Sequence, residues 1–280
     1  MESNQLIEFC LFRSTYLNKK KLKQNLEGKT ILITGASSGI GAQVASELAD
    51  TNCQLILVAR REDILKELKN EIEQKCAKVS IFKADLRNQN EMEDLLAFLH
   101  SFPHGLDIVV SNAGISINRS IYDSLDRFHD FTRTMAINYF APVQILLSTI
   151  PLLQKNEGHI INVSTINALL APVPYFAAYQ ASKSSFDVWL RSVAPELKRN
   201  GVTTTSIYLP LVTTPMIEPT PSYRSMPALS ASSAARVICK SMYNKKKKVQ
   251  PWWLLFGQIL SLFIRNFGDV TNLGRKKSSS

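Results

Sequence analysis

The feature that most constrains this chain is a steady alternation of short apolar runs with longer segments of helical spacing. Lys29–Thr34, Gln54–Ala59, Val79–Phe82, Asp107–Ser111, His159–Ser164 and Val202–Leu209 are brief and rich in Ile, Val and Leu. Between them lie Ala42–Asp50, Glu62–Lys75, Glu91–Leu99, a long region from about Ser124 to Leu153, and Tyr175–Arg199. In Glu62–Lys75 the apolar residues Ile64, Leu65, Leu68 and Ile72 recur at helical spacing with charge elsewhere. A strand that is apolar along its whole length must be covered on both faces. Strands separated by helices must pair in parallel, because each crossover carries the chain back to its starting edge.

These constraints predict a single α/β domain, a doubly wound Rossmann-type parallel sheet with right-handed crossovers. At 280 residues and 45% hydrophobic composition the chain has ample material for one such core. It divides into an N-terminal extension (1–27), the domain itself (28–250) and a C-terminal apolar segment with a basic tail (251–280). Four scattered cysteines with no C-x-x-C spacing, and four histidines without H-E-x-x-H, argue against disulfides and a metal centre. A reducing, cytoplasmic compartment is the expectation. The N-terminus lacks the layout of a signal peptide, and no run of about 18 apolar residues is present. Of the 33 Lys and Arg, ten lie in 236–280 with a single acid, so a near-neutral body carries a basic tail. That distribution speaks against a nucleic-acid-binding body and directs attention to an anionic membrane surface.

The first apolar run ends in Thr34-Gly35-Ala36-Ser37-Ser38-Gly39-Ile40-Gly41. Glycines at a strand-to-helix junction allow a tight turn and close approach of a pyrophosphate to backbone N–H groups at a helix N-terminus. The second run ends in Ala59-Arg60-Arg61, where an NAD-binding site carries an acid for the ribose hydroxyls. Arginine there suits a 2′-phosphate, so NADP(H) is expected in preference to NAD(H). Further on, Tyr179 and Lys183 stand four residues apart and so share a helix face. A neighbouring ammonium favours the phenolate and lowers the phenol from its ordinary value near ~10, making it a usable acid or base.

With this glycine pattern ahead of Tyr179-x-x-x-Lys183, the chain resembles the short-chain dehydrogenase/reductase family from about Leu26 to Thr214. The resemblance implies further roles. Asp85 and Leu86 after the third strand match the adenine contact; Asn112-Ala113-Gly114 match the motif that supports sheet and cofactor. Asn138 matches the asparagine that holds a water in the proton relay. Tyr179 would be the acid/base, and Lys183 would bind the nicotinamide ribose while tuning it. The family's serine falls one or two residues closer to the tyrosine than either hydroxyl available here. Ser164 and Thr165 are both candidates, Thr165 being the better positional match. After the sixth strand the family's Pro-Gly is Pro210-Leu211, and Thr214 is the residue expected to reach the carboxamide. A homo-oligomer is common in the family. One loop, Pro-Leu-Val-x-Thr-Pro-Met-Ile, is also similar to bacterial fatty acyl-CoA reductase-like members.

The expected activity is hydride transfer between a nicotinamide and a small-molecule carbonyl or alcohol, lipid-like in character. A catalytically silent nucleotide sensor of the same fold is the alternative, and its signature would be loss of Tyr179 or Lys183. Both residues are present. The segment at about 212–229 is the expected substrate loop, with Met216, Ile217, Tyr223 and Met226 either lining a site or packing on the core. Ser230 is the expected N-cap of a helix from Ala231 to Tyr243. Lys245–Lys248 followed by Pro251-Trp252-Trp253 and Ile259–Arg265 admits three readings. These are an interfacial helix giving peripheral membrane contact, an edge strand with a packing helix, and burial in a dimer.

Overall fold

The computed structural model describes residues 8–12, 15–218, 220, 223 and 226–261. Its elements run α1 (Lys19–Leu26), β1 (Thr30–Thr34), α2 (Gly39–Leu48), β2 (Gln54–Ala59), α3 (Glu62–Glu73), β3 (Lys78–Lys83) and α4 (Gln89–His100). There follow β4 (Ile108–Ser111), α5 (Phe128–Met135), α6 (Ala141–Lys155), β5 (His159–Thr165), α7 (Ala177–Arg199) and β6 (Thr203–Leu209). The chain then forms β7 (Val212–Thr213), β8 (Leu229–Ser230), α8 (Ala231–Asn244) and β9 (Lys248–Val249). Seven strands pair in the order β3-β2-β1-β4-β5-β6-β9, all parallel. The order reverses between β1 and β4, and a crevice opens at the carboxyl ends of strands at such a reversal.

The continuous apolarity of the strands has a direct cause. Along β1, Ile31 and Ile33 point into one core with α1, α2, α3 and α8, and Leu32 points into the other with α4, α6 and α7. Successive side chains alternate between faces, so a sheet covered on both sides needs an apolar residue at every position. Asp107 pins the lower edge: it accepts from Lys29 Nζ at 2.8 Å and from the Thr30 backbone at 2.8 Å.

The long helical region departs from its expected start at Ser124, because Tyr122–Ser124 is a 3-10 turn and α5 begins at Phe128. Between α5 and α6 the helix widens into a π turn over Ala136–Phe140. Among the described residues, Phe128–Lys155 is the one run long and apolar enough to cross a membrane. Half of its most apolar stretch is buried, and it covers one face of the sheet.

Of the three readings of the tail, the described residues match the edge strand followed by a packing helix. Lys245 takes a left-handed backbone (φ 48°) that ends α8. Lys248–Val249 then joins the sheet beside Ser206 and Ile207 as its seventh strand. The basic run therefore lies at the amino end of an edge strand and the tryptophans beyond its carboxyl end. A helix follows over 254–261, with Leu254 buried and Gly257 against Leu170, while Leu255, Phe256, Ile259 and Leu260 are exposed. The remainder of the tail expectation, 262–280, lies outside the described residues, as do 1–7 of the extension. Within the rest of the extension, Leu17, Leu22 and Leu26 are buried in the domain's own core.

Candidate active site

The turn from β1 into α2 is shaped by contacts that only glycine permits. At Gly35 (φ 68°) a Cβ would sit 2.9 Å from Ala113 Cα, and at Gly41 it would lie 2.3 Å from the Gly35 carbonyl oxygen. The chain thus folds back tightly enough to place the start of α2 at the crevice. Ser38 holds the N-cap position of α2 yet makes no side-chain cap bond. Among the described residues no side chain caps the first-turn N–H groups, and such groups form a site for an anion. Asn112 locks the neighbouring turn: its Nδ2 donates to Thr34 O at 2.9 Å, while Thr34 Oγ1 accepts from the Asn112 and Ala113 backbones at 3.1 Å each.

Past the end of β2, Arg61 donates to Ser37 O at 3.1 Å and to Ser37 Oγ at 3.2 Å, laying a guanidinium across the glycine turn. Arg60 lines the same crevice. Asp85 accepts two bonds from Arg87, at 2.9 and 2.6 Å. This pair holds the Asp85 carboxyl below its usual range despite partial burial. Arg87 was not anticipated. Its only signal was its place two residues after Asp85 at the end of the third strand.

Three elements converge on the catalytic end. α7 sets Tyr179 and Lys183 one turn apart, and Lys183 Nζ donates to the Val163 carbonyl at 3.2 Å. From the π turn, Asn138 exchanges two 2.9 Å bonds with the Ile115 backbone and donates at 2.9 Å to Ser182 Oγ, itself bonded to Tyr179 O. Widened turns of this kind recur at functional sites because they re-aim a side chain. Gly114 completes the packing, since a Cβ there would lie 2.8 Å from Asn138 Oδ1 and 3.3 Å from Lys183 Nζ.

The two hydroxyls of β5 separate cleanly. Thr165 and Tyr179 line the same cleft, and the Thr165 hydroxyl favours the ionised phenol. It also accepts from the Asn167 backbone at 3.3 Å. Ser164 Oγ is buried and has no partner among the described residues. Burial pushes Tyr179 up to about 12, opposed by the Thr165 hydroxyl. It brings Lys183 down to about 8. The phenol is therefore raised and not lowered as expected, because desolvation disfavours the charged form of each group.

All these parts border one cleft of about 620 Å³. Of the residues singled out from the sequence, only Gly41 and Asn138 do not line it, and both brace residues that do. Pro210 and Thr214 border it near Gly39, whose Cβ would meet Thr214 Cγ2 at 3.0 Å. Beyond Tyr179 the walls are apolar: Phe176, Met216, Ile217, Tyr223 and Met226, with Phe176 and Tyr223 stacked at 6.0 Å. Residues 219, 221, 222, 224 and 225 of the substrate loop lie outside the described residues. Leu11 and Trp253, from the two ends of the chain, also line the cleft and were not foreseen. No cluster of metal-ligating side chains occurs among the described residues.

A phosphate-cradling turn facing a tyrosine–lysine pair across the reversal of a parallel sheet defines a dinucleotide-dependent oxidoreductase. The chain belongs to the short chain dehydrogenase family, whose model matches residues 29–224. It is 38% identical over 261 residues to a fatty acyl-CoA reductase of Acinetobacter baylyi, covering 92% of this chain and 87% of the relative. A fatty acyl-CoA reductase of Mycobacterium tuberculosis is 37% identical over 228 residues, 81% of this chain and 78% of that one. In fold it matches a Sphingobium yanoikuyae short-chain dehydrogenase in complex with NADPH (TM-score 0.74, 20% identity, 90% of this chain and 98% of that one). It also matches L-sorbose reductase of Gluconobacter frateurii complexed with NADPH and L-sorbose (TM-score 0.72, 21% identity, 81% and 96%).

Proposed function

We propose that this protein is an NADPH-dependent reductase of long-chain acyl thioesters or the corresponding aldehydes. The observation that carries the reading is the single cleft joining an arginine-lined nucleotide end to Tyr179 and then to an apolar far wall. Its likeness over most of its length to two fatty acyl-CoA reductases supports the same substrate class.

The residues present fit the cofactor. The uncapped start of α2 would hold the pyrophosphate, and Arg60, Arg61 and Arg87 would surround a 2′-phosphate with positive charge. Asp85 and Leu86 would border the adenine, Thr214 the carboxamide and Lys183 the nicotinamide ribose, all of them residues that line the cleft. When bound, NADPH would supply a hydride to the carbonyl carbon. Tyr179 would give the carbonyl oxygen its proton, so that an aldehyde, NADPH and one proton become an alcohol and NADP+. With a thioester the same addition gives a hemithioacetal; its C–S bond breaks, its hydroxyl proton passes to the departing thiolate, and aldehyde, thiol and NADP+ result. Thr165 donates to the same oxygen, and Asn138 ties the π turn to the start of α7 so that the phenol keeps its place. A phenol held near 12 stays protonated at neutral pH, which suits an acid for reduction.

The test is NADPH oxidation by the purified chain across long-chain acyl-CoA thioesters, aldehydes and ketones, with NADH in parallel. Turnover on long-chain substrates is expected, abolished by Tyr179→Phe with NADPH binding retained. Equal rates in wild type and Tyr179→Phe would refute the assignment. Tight NADPH binding without turnover would favour a sensor.

A further inference from the structure

The outer wall of the cleft is built by segments that flank the family match at 29–224. Trp253 donates its indole N–H to the Leu11 carbonyl at 3.2 Å, and Trp252 does the same to Cys10 at 3.3 Å. The N-terminal segment is anchored at its other end by Glu8, which accepts from the Ser230 backbone at 2.9 Å and from Ser233 Oγ at 2.6 Å. Those two serines sit where the substrate loop enters α8. Phe12 is buried in the core beside this strap. On the other side, Leu254 is buried and Gly257 meets Leu170, fixing the tryptophan pair over the turn that follows Thr165. Leu11 and Trp253 are thus held in place from both directions and turn apolar surface toward the cleft.

From this geometry we infer that Leu11 and Trp253 are specificity-determining residues that grip the distal part of an apolar substrate tail. The inference rests on the proposed lipid-like substrate. On this inference a chain with its reacting carbonyl at Tyr179 passes the apolar side chains Phe176, Met226 and Tyr223, which line the same cleft, and meets Leu11 and Trp253 only when it is long. A short substrate then leaves that pair untouched. Its loss therefore affects long chains and spares short ones, because each buried methylene adds its own increment of binding.

The experiment compares dodecanal with butanal in the full chain, together with binding of 1-dodecanol and 1-butanol to the NADP+-loaded protein by calorimetry. Trp253→Ala should lower kcat/KM for dodecanal about tenfold while leaving butanal and the NADPH dissociation constant unchanged. Trp253→Phe keeps an aromatic wall without the indole bond and should retain most of the long-chain preference. Leu11→Trp narrows the passage and should shift the preference toward shorter chains. Equal losses on both aldehydes, or none on either, would overturn the inference. Should wild type reduce neither aldehyde nor thioester, the catalytic reading fails and the alcohol-binding arm still decides. Dodecanol bound more tightly than butanol, with the difference abolished by Trp253→Ala, supports the grip; no such difference in wild type refutes it.

Discussion

Replacing the two adjacent hydroxyls of β5 one at a time should give opposite results. Under the proposed function Thr165, which lines the cleft with Tyr179, is the donor to the reacting oxygen, and Thr165→Ala removes it. Loss of one such donor typically lowers kcat by about 10²–10³, or roughly 3–4 kcal/mol of barrier. Thr165 also caps the turn that begins at Ile166 through a long 3.3 Å bond, so stability should fall by no more than about 1 kcal/mol. Thr165→Ser keeps the hydroxyl and should recover most of the rate. Ser164 Oγ, in contrast, is buried without a partner among the described residues. An unsatisfied buried polar group costs about 1–3 kcal/mol, and Ser164→Ala relieves that cost. The variant should keep kcat within about twofold and melt higher, by about 2–4 °C for each kcal/mol gained at this chain size. Steady-state rates with a long-chain aldehyde and thermal melts of the same preparations decide the matter. A large rate loss in Ser164→Ala with an active Thr165→Ala would show the assignment to be reversed.

Arg61→Asp should weaken NADPH binding by about tenfold or more and narrow the gap to NADH, measured by fluorescence titration, since it replaces the cation beside Ser37 with an acid. Reduction should slow as pH rises through about 8, where Lys183 loses its charge. The phenol keeps its proton to about 12, so it is not the cause. Lys183→Arg should be slower overall yet flat across that range in rate–pH profiles. Buried His159 has its pKa depressed to about 3, so below its unfolded value near 6.5 the unfolded chain binds the extra proton. Its contribution is present above about 6.5 and is lost as pH falls toward 3, with a slope of up to about 1.4 kcal/mol per pH unit. Urea midpoints of wild type and His159→Gln should diverge over that window, and parallel curves would sink the assignment.

Local signals were legible in the amino-acid order itself. Continuous apolar runs and helical spacing are properties of neighbouring residues, so six of the seven strands of the main sheet, their parallel pairing and most of the covering helices could be read directly, whereas α1 (Lys19–Leu26) was not. The Gly35-to-Gly41 junction and the Tyr179–Lys183 spacing are also short-range, since each places its atoms within one turn. Other features depended on where distant segments met. That Thr165 bonds the Asn167 backbone while Ser164 Oγ has no partner among the described residues depends on how β5 ends. Asn138 is re-aimed by a π turn that no composition rule announced. The direction of the tyrosine's pKa followed from burial, which belongs to the assembled fold. The Leu11–Trp253 wall joins residues 242 positions apart, and the final lysines proved to lead into an edge strand. Sequence by itself determined the sheet, the nucleotide turn and the tyrosine–lysine pair, because each is encoded within a few residues. Tertiary structure alone decided which β5 hydroxyl is left without a partner among the described residues, how burial shifts Tyr179 and Lys183, and that Leu11 and Trp253 line one cleft, because solvent exclusion and long-range contact arise only once the whole chain has packed.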